Sequence, residues 1–279
     1  MKSRRMKSAL VFCVWLAFCA AAEDLQPSKN AGPYVPSPQS VVADMLRHAE
    51  VTDKDFLIDL GSGDGRIVLT AAKVFGARGF GVEIKDELVK RSNEAAKAAG
   101  LADRVKFIKQ DLFKTDLSQA TVVTMYLLPD TVNMLKDKFL AELKPGTRIV
   151  SHDYPLTGWI PEKYVQMDLE DKVQISGVTT TLIYLYIVPA KVDGTWRAQM
   201  PPAVTRSPAL LSLRQQLTRV SGVVRLDGKD LPLEDVKLRG DKLTFKVAGR
   251  KGEYSGQVKG NAIEGTFDGK APWSATLGG

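Results

Sequence analysis

FLIDLGSGDGRIVLTAA, residues 56–72, changes character twice along its length. The apolar run Phe56-Leu57-Ile58 has the composition of a strand buried on both faces, and it stops at Asp59. Leu60 and three alternating glycines follow, after which Ile67, Val68, Ala71, Ala72 and Phe75 recur at helical spacing. A strand, a tight turn and a helix start therefore lie end to end. Gly61, Gly63 and Gly65 permit positive φ and carry no Cβ, so a ligand can lie against bare backbone amides, Ser62 among them, at the helix N-terminus. Such a loop suits a nucleotide.

Spacing narrows the nucleotide. The dinucleotide fingerprint G-x-G-x-x-G needs a third glycine where Arg66 stands, so it fits poorly. A second strand, Gly79 to Glu83, ends in a carboxylate 22 residues after Gly61, placed to accept both hydroxyls of a ribose. The third, Arg104 to Lys109, leads into Gln110-Asp111-Leu112, where Asp111 can hold the exocyclic amine of adenine; a plain Asx turn is the alternative.

Glycine turn, ribose acid and adenine acid in this order resemble the class I S-adenosylmethionine-dependent methyltransferases, over roughly residues 34–188. More narrowly, PYVPSP (33–38), DLGSGDGRIV (59–68), GVEI (81–84), DLFKTDLSQATVV (111–123) and ELKPGTRIVSHDYP (142–155) are similar to the ATP synthase c-subunit lysine methyltransferase group and its bacterial relatives. The resemblance implies S-adenosyl-L-methionine as cofactor and no metal. Its binding residues carry over onto Asp59, Gly61, Ser62, Gly63, Gly65, Glu83, Asp111 and Leu112. Asp59 is expected to order the glycine loop by accepting its amides, and Glu83, a strand-end acid, otherwise lacks a partner.

The same resemblance folds the segment before the first helix over the cofactor, so that Tyr34 closes the methionine end; a helix-entry staple is the bland alternative. It also turns the residues after the fourth strand, Tyr126-Leu127-Leu128-Pro129, toward the methyl group. Tyr126 and Tyr34 are thus the catalytic candidates. MYLLPD (125–130) departs from the N-P-P-Y-like sequence of enzymes acting on nucleobase amines, which leaves a protein lysine or a small amine as acceptor. His152 and Asp153 end the fifth strand, as an acid/base pair or, more commonly for a lone histidine, as a satisfied rim residue. Asp64 and Arg66 solvate or pair on the surface.

Strand and helix alternate with short links, which predicts a parallel sheet covered on both faces; two further extended runs, 165–169 and 180–188, bring the strands to the seven of the Rossmann-like sheet that the resemblance implies, its last pair antiparallel, in a domain spanning 34–190. Ser37 reads as an N-cap before Pro38, and helices are expected to about Ala49, from Asp86 to Ala99 and from Thr131 to Leu143. Residues 191–279 read as a small antiparallel barrel or curled sheet, with strands 194–199, 212–220, 222–226, 236–238, 242–247, 253–258, 262–267 and 272–277 and Gly-containing turns between them. Trp196 and Trp273 are expected in its core.

Lys2, Arg4, Arg5 and Lys7 precede an apolar run from Ala9 to Ala22, and Ala20-Ala21-Ala22 has the small residues of a cleavage site. Residues 1–22 are read as a signal peptide, with a polar lead-in at 23–33; the expected address is periplasmic or secreted, and an uncleaved leader is the one route to membrane contact. Losing the four leader cations takes the chain from +7 to +3, so a nucleic-acid partner gains little support. Cys13 and Cys19 both lie in the leader, which removes thiol catalysis and a cysteine metal site from the mature chain. The rival readings are an exported binding protein with an inactive nucleotide fold, its β domain taking a ligand or partner, and a nicotinamide-dependent oxidoreductase.

Overall fold

The computed structural model describes residues 34–205 and 207–278. The leader read at 1–22 and the lead-in at 23–33 lie outside the described residues.

Strand β1 (Phe56–Leu60) runs through the middle of a seven-stranded sheet. The chain steps outward through β2 (Arg78–Glu83) and β3 (Val105–Lys109), then crosses back to β4 (Val122–Met125) and β5 (Arg148–His152), all parallel. Two antiparallel strands, β6 (Lys163–Asp168) and β7 (Thr180–Ile187), complete the order β3-β2-β1-β4-β5-β7-β6. The direction of travel reverses between β1 and β4, and a crevice opens beyond their carboxyl ends, the usual place for a ligand in such sheets.

Helices α1 (Gln39–His48), α2 (Arg66–Phe75) and α3 (Asp86–Ala98) pack a first core that takes in Leu57. On the other face Ile58 and Leu60 join Met125, Phe139 and Tyr186 in a second core. Alternate residues of β1 thus serve opposite faces, which is why its apolar run is continuous.

Two local expectations change. Pro38 rather than Ser37 is the N-cap of α1, with no side-chain cap, and the Ser37 hydroxyl bonds His152 instead. The helix expected over 131–143 starts earlier, with Pro129 in its first turn, and divides into α4 (Pro129–Met134) and α5 (Lys136–Glu142) at the buried Leu135. On α3 the buried face is Leu88, Val89, Ser92 and Ala96, and Ala98 is exposed. Ser92 is inside because its Oγ bonds the Gly63 carbonyl at 3.1 Å, tying α3 to the glycine loop.

The remaining strands, β8 (Gly194–Gln199), β9 (Ala209–Gln216), β10 (Arg219–Leu226), β11 (Lys229–Arg239), β12 (Lys242–Val247), β13 (Tyr254–Lys259), β14 (Ala262–Phe267) and β15 (Ala271–Leu277), form a closed barrel. The run expected over 212–220 is two strands, because Leu217 takes a positive φ of 57° and turns a hairpin there. Only 236–238 is legible for β11 because Pro232 and a register shift between Glu234 and Lys237 break its alternation. Trp196 and Trp273 are core, as expected, their indole N–H groups donating to the carbonyls of Val192 and Ser255. Phe245, Tyr254 and Trp273 pack ring on ring in the interior, so this barrel is filled by its own side chains.

The barrel seats on the end of the sheet away from the crevice. Gly240 accepts from the Ala190 N–H and lies against Gly146, just ahead of β5, while Arg239 pairs with Glu162 at 2.7 Å. The Gln215 amide bonds the backbone of Val192, Ala190 and Leu217, clamping the link between the two units.

Candidate cofactor and acceptor site

A cavity of about 320 Å³ occupies the crevice, walled by the glycine loop, the ends of β2, β3 and β4, and residues 34–37. Asp59, Gly61, Ser62, Gly63, Glu83, Asp111, Leu112, Tyr34 and Tyr126 all line it. Gly65, the remaining residue expected here, lies beneath the loop against Phe107 and Ser92.

The loop glycines work by shape. Gly61 and Gly63 hold φ of 76° and 54°, and an added Cβ would come within 2.7 Å of Leu127 and 2.6 Å of the Tyr34 ring respectively. Their amides are not bare. Gly61 and Ser62 donate to the Val82 carbonyl at 3.0 and 2.9 Å, Gly65 to that of Ser62, and Gly63 to Glu83 Oε2 at 3.1 Å. A pyrophosphate would need those donors free, so their commitment agrees with the poor dinucleotide spacing.

Glu83, expected to lack a partner, has three: besides Gly63, the N–H groups of Ile84 and Lys85 donate to its Oε1 at 2.9 and 3.0 Å. It, and not Asp59, orders the loop. A carboxylate has about four lone-pair positions, so one stays available toward the cavity. Asp59 is buried and accepts from the Thr124 hydroxyl at 2.7 Å across the β1–β4 pair. Burial, with the neighbouring Glu83 and Asp64 charges, pushes its carboxyl up to about 7 even against that hydrogen bond. Asp111 does make the Asx turn, accepting from the Phe113 N–H at 2.9 Å, and it lines the cavity as well. Leu112 is buried at its side.

Asp64 and Arg66 form a clamp. The Arg66 guanidinium grips both Asp64 oxygens and reaches the Ser37 carbonyl at 2.8 Å, fastening residues 34–37 to the loop. The Tyr34 ring lies on Gly63 and its hydroxyl faces Asp64; burial first, then that carboxylate, raises its pKa.

Opposite, Tyr126 follows β4 and its ring covers the His152 ring with centroids 3.9 Å apart. Its hydroxyl faces the Asp153 carboxylate, and burial with that charge pushes the phenol far above its ordinary range, so it stays protonated. Asp153, at φ 63°, is held by Lys172 at 2.7 Å and by the Leu182 N–H at 3.0 Å. His152 is fully buried rather than at the rim. Its Nδ1 lies 2.8 Å from the Ser37 hydroxyl, and its Nε2 has no hydrogen bond among the described residues, 3.6 Å from Asp153. Burial holds it down to about 4, with Asp153 opposing and Lys172 adding, so it is neutral near pH 7. Nothing local in the sequence marks Ser37, Thr124, Ser92 or Lys172 as members of this network.

The cavity fits an adenosyl cofactor on three observations: the glycines leave room that a Cβ would fill, the Ser62 hydroxyl is buried with no hydrogen bond among the described residues, and Glu83 and Asp111 stand at neighbouring strand ends. Among the described residues no group of acids, histidines or cysteines could hold a metal.

Fold and cavity together define a class I S-adenosylmethionine-dependent methyltransferase. The chain belongs to the protein-lysine N-methyltransferase family. It is 42% identical over 157 residues to the protein-lysine N-methyltransferase of Saccharolobus islandicus, covering 56% of this chain and 93% of that one. The ATP synthase c-subunit lysine N-methyltransferase of Mus musculus is 35% identical over 133 residues, 47% of this chain and 52% of that one, so the chain spans about half of that relative. The ANTKMT methyltransferase domain matches residues 59–163. A solved structure described as an RNA methyltransferase from Salinibacter ruber, in complex with S-adenosyl-L-homocysteine, superposes with a TM-score of 0.51 and 45% identity over 57% of this chain and 96% of that one.

Proposed function

We propose that this chain methylates the ε-amino group of lysine in a protein. The observation that carries this is the acceptor wall, where a protonated Tyr126 faces Asp153 above a neutral His152, with no N-P-P-Y-like element to grip a nucleobase amine. The named activities of the archaeal and mouse relatives support it. The description of the Salinibacter ruber structure favours RNA as a second reading. Residues 34–190 carry 19 Lys and Arg against 21 Asp and Glu, a balance unsuited to tracking a phosphate backbone.

In this reading S-adenosylmethionine supplies an electrophilic methyl group on a sulfonium. Glu83 would take a ribose hydroxyl on its remaining acceptor position and Asp111 the adenine amine, with Leu112 on the ring; Gly61, Ser62 and Gly63 would give the backbone surface, and Gly65 shapes the loop from beneath. Asp59 would lie beneath the methionine end, where a bound cation would draw its carboxyl toward the ionised form, and Tyr34 would close over it. The acceptor must arrive without its proton, because a protonated amine has no lone pair to give. Tyr126, kept protonated with its hydroxyl facing Asp153, retains lone pairs with which to accept from an amine N–H and align it. The neutral His152 beneath it adds no competing cation.

Export is proposed with this function, supported by the leader composition of residues 1–22, and fractionation of a tagged chain tests it. The activity is tested by incubating envelope and cytosolic extracts, and separately RNA, with labelled cofactor and either the wild-type chain or Glu83→Ala. Label on protein lysine that vanishes in the variant is expected. Label on RNA alone would replace the lysine reading by the second one.

A further inference from the structure

The barrel's strands divide by charge into two halves. β15, β8, β9 and β10 are neighbours, and together they carry four arginines, Arg197, Arg214, Arg219 and Arg225, with no lysine, aspartate or glutamate. All four point outward and are exposed. The other half, β11 to β14, mixes lysines with acids and closes cross-strand pairs such as Lys246 with Asp235 and Lys259 with Glu264. Arg225 pairs with Asp230 at the border, whereas Arg197, Arg214 and Arg219 have no carboxylate partner among the described residues. Strand register sets Arg197 opposite Leu210 and Leu210 opposite Arg225, one row reading Arg-Leu-Arg. Leu210 and Val223 are 40% and 38% exposed within this face.

We propose that this face docks on an anionic phospholipid surface. A guanidinium fork matches phosphate oxygens better than an ammonium does, and arginine alone is used here. Leu210 and Val223 can enter the headgroup region between the arginines, a gain that a polynucleotide backbone does not offer. The aromatic residues of these four strands, Trp196 and Trp273, point inward, so no platform exists for stacked bases. Closure of the barrel leaves no free edge for an added peptide strand. Since the barrel lies away from the cavity, docking leaves the cofactor mouth clear.

The test is co-sedimentation of the full chain with vesicles of phosphatidylglycerol and phosphatidylcholine, against phosphatidylcholine alone. The variant Arg197→Gln/Arg214→Gln/Arg219→Gln is compared with Lys237→Gln/Lys242→Gln/Lys259→Gln, which removes the same charge from the other half. Any contribution from residues 1–33 is common to all three proteins. The arginine variant is expected to partition onto anionic vesicles on the order of a hundredfold more weakly, at unchanged S-adenosylhomocysteine affinity, with the lysine variant close to wild type. Equal losses in the two variants, no preference for anionic over neutral vesicles, or displacement from vesicles by single-stranded RNA or polyglutamate at equal charge would each overturn the proposal.

Discussion

Two buried groups, Asp59 and His152, titrate against the ordinary direction for their type. The folded protein keeps the Asp59 proton up to about pH 7, whereas the unfolded chain loses it near 4, so this residue makes the fold less stable as pH rises through that window. His152 acts oppositely. Folded, it stays neutral down to about pH 4, whereas the unfolded chain binds a proton below about 6.5, so stability falls as pH drops between those values. Within its window each group changes stability by at most about 1.4 kcal/mol per pH unit, with opposite signs, so the two slopes nearly cancel. Asp55 and Asp64, both held low, contribute only below this range. Thermal unfolding of cofactor-free Asp59→Asn should therefore show stability rising from pH 4 to 6.5, and His152→Phe stability falling from pH 4 to 7. Flat profiles in both would show that neither group is perturbed. With ligand, Asp59→Asn should also weaken binding of the cationic cofactor more than that of neutral analogues lacking the sulfonium.

Among the elements, the glycine loop and α3 carry the site. Gly63→Ala places a methyl group where the Tyr34 ring lies, 2.6 Å away, at a φ of 54°. The backbone cost is only about 1 kcal/mol, so the main effect is expulsion of Tyr34. Calorimetry should find S-adenosylhomocysteine bound at least tenfold more weakly while the melting temperature moves by a few degrees; unchanged affinity would remove Tyr34 from the cavity wall. Asn93 on α3 does a structural task, since its amide both donates to the Phe107 carbonyl and accepts from the Phe107 N–H on the edge strand β3. Asn93→Ala leaves those backbone groups to water or unpaired. A loss of about 1–3 kcal/mol in denaturant unfolding is expected, with hydrogen exchange quickening first at β3.

At the scale of the whole molecule, Gln215 of β9 bonds the backbone of Ala190 and Val192 in the link between the two units and that of Leu217 in its own hairpin. Gln215→Ala should split a single unfolding transition into two, the methyltransferase unit keeping its S-adenosylhomocysteine affinity; one unbroken transition would mean that the apolar contact of Leu217 suffices. The chain order of glycine turn, strand-end acids and alternating strands and helices carries the class, the cofactor and the cavity residues in the sequence alone, because each of those features is local and repeats at a fixed spacing. Hydrogen-bond partners are not local. Ser37 and His152 are 115 positions apart, and Asp59 and Thr124 65, so which acid orders the loop and which one lies dry beneath it depended on strands meeting in register. The same holds for the arginine face, whose members come from three successive strands and share one side only because β8, β9 and β10 pair in this register.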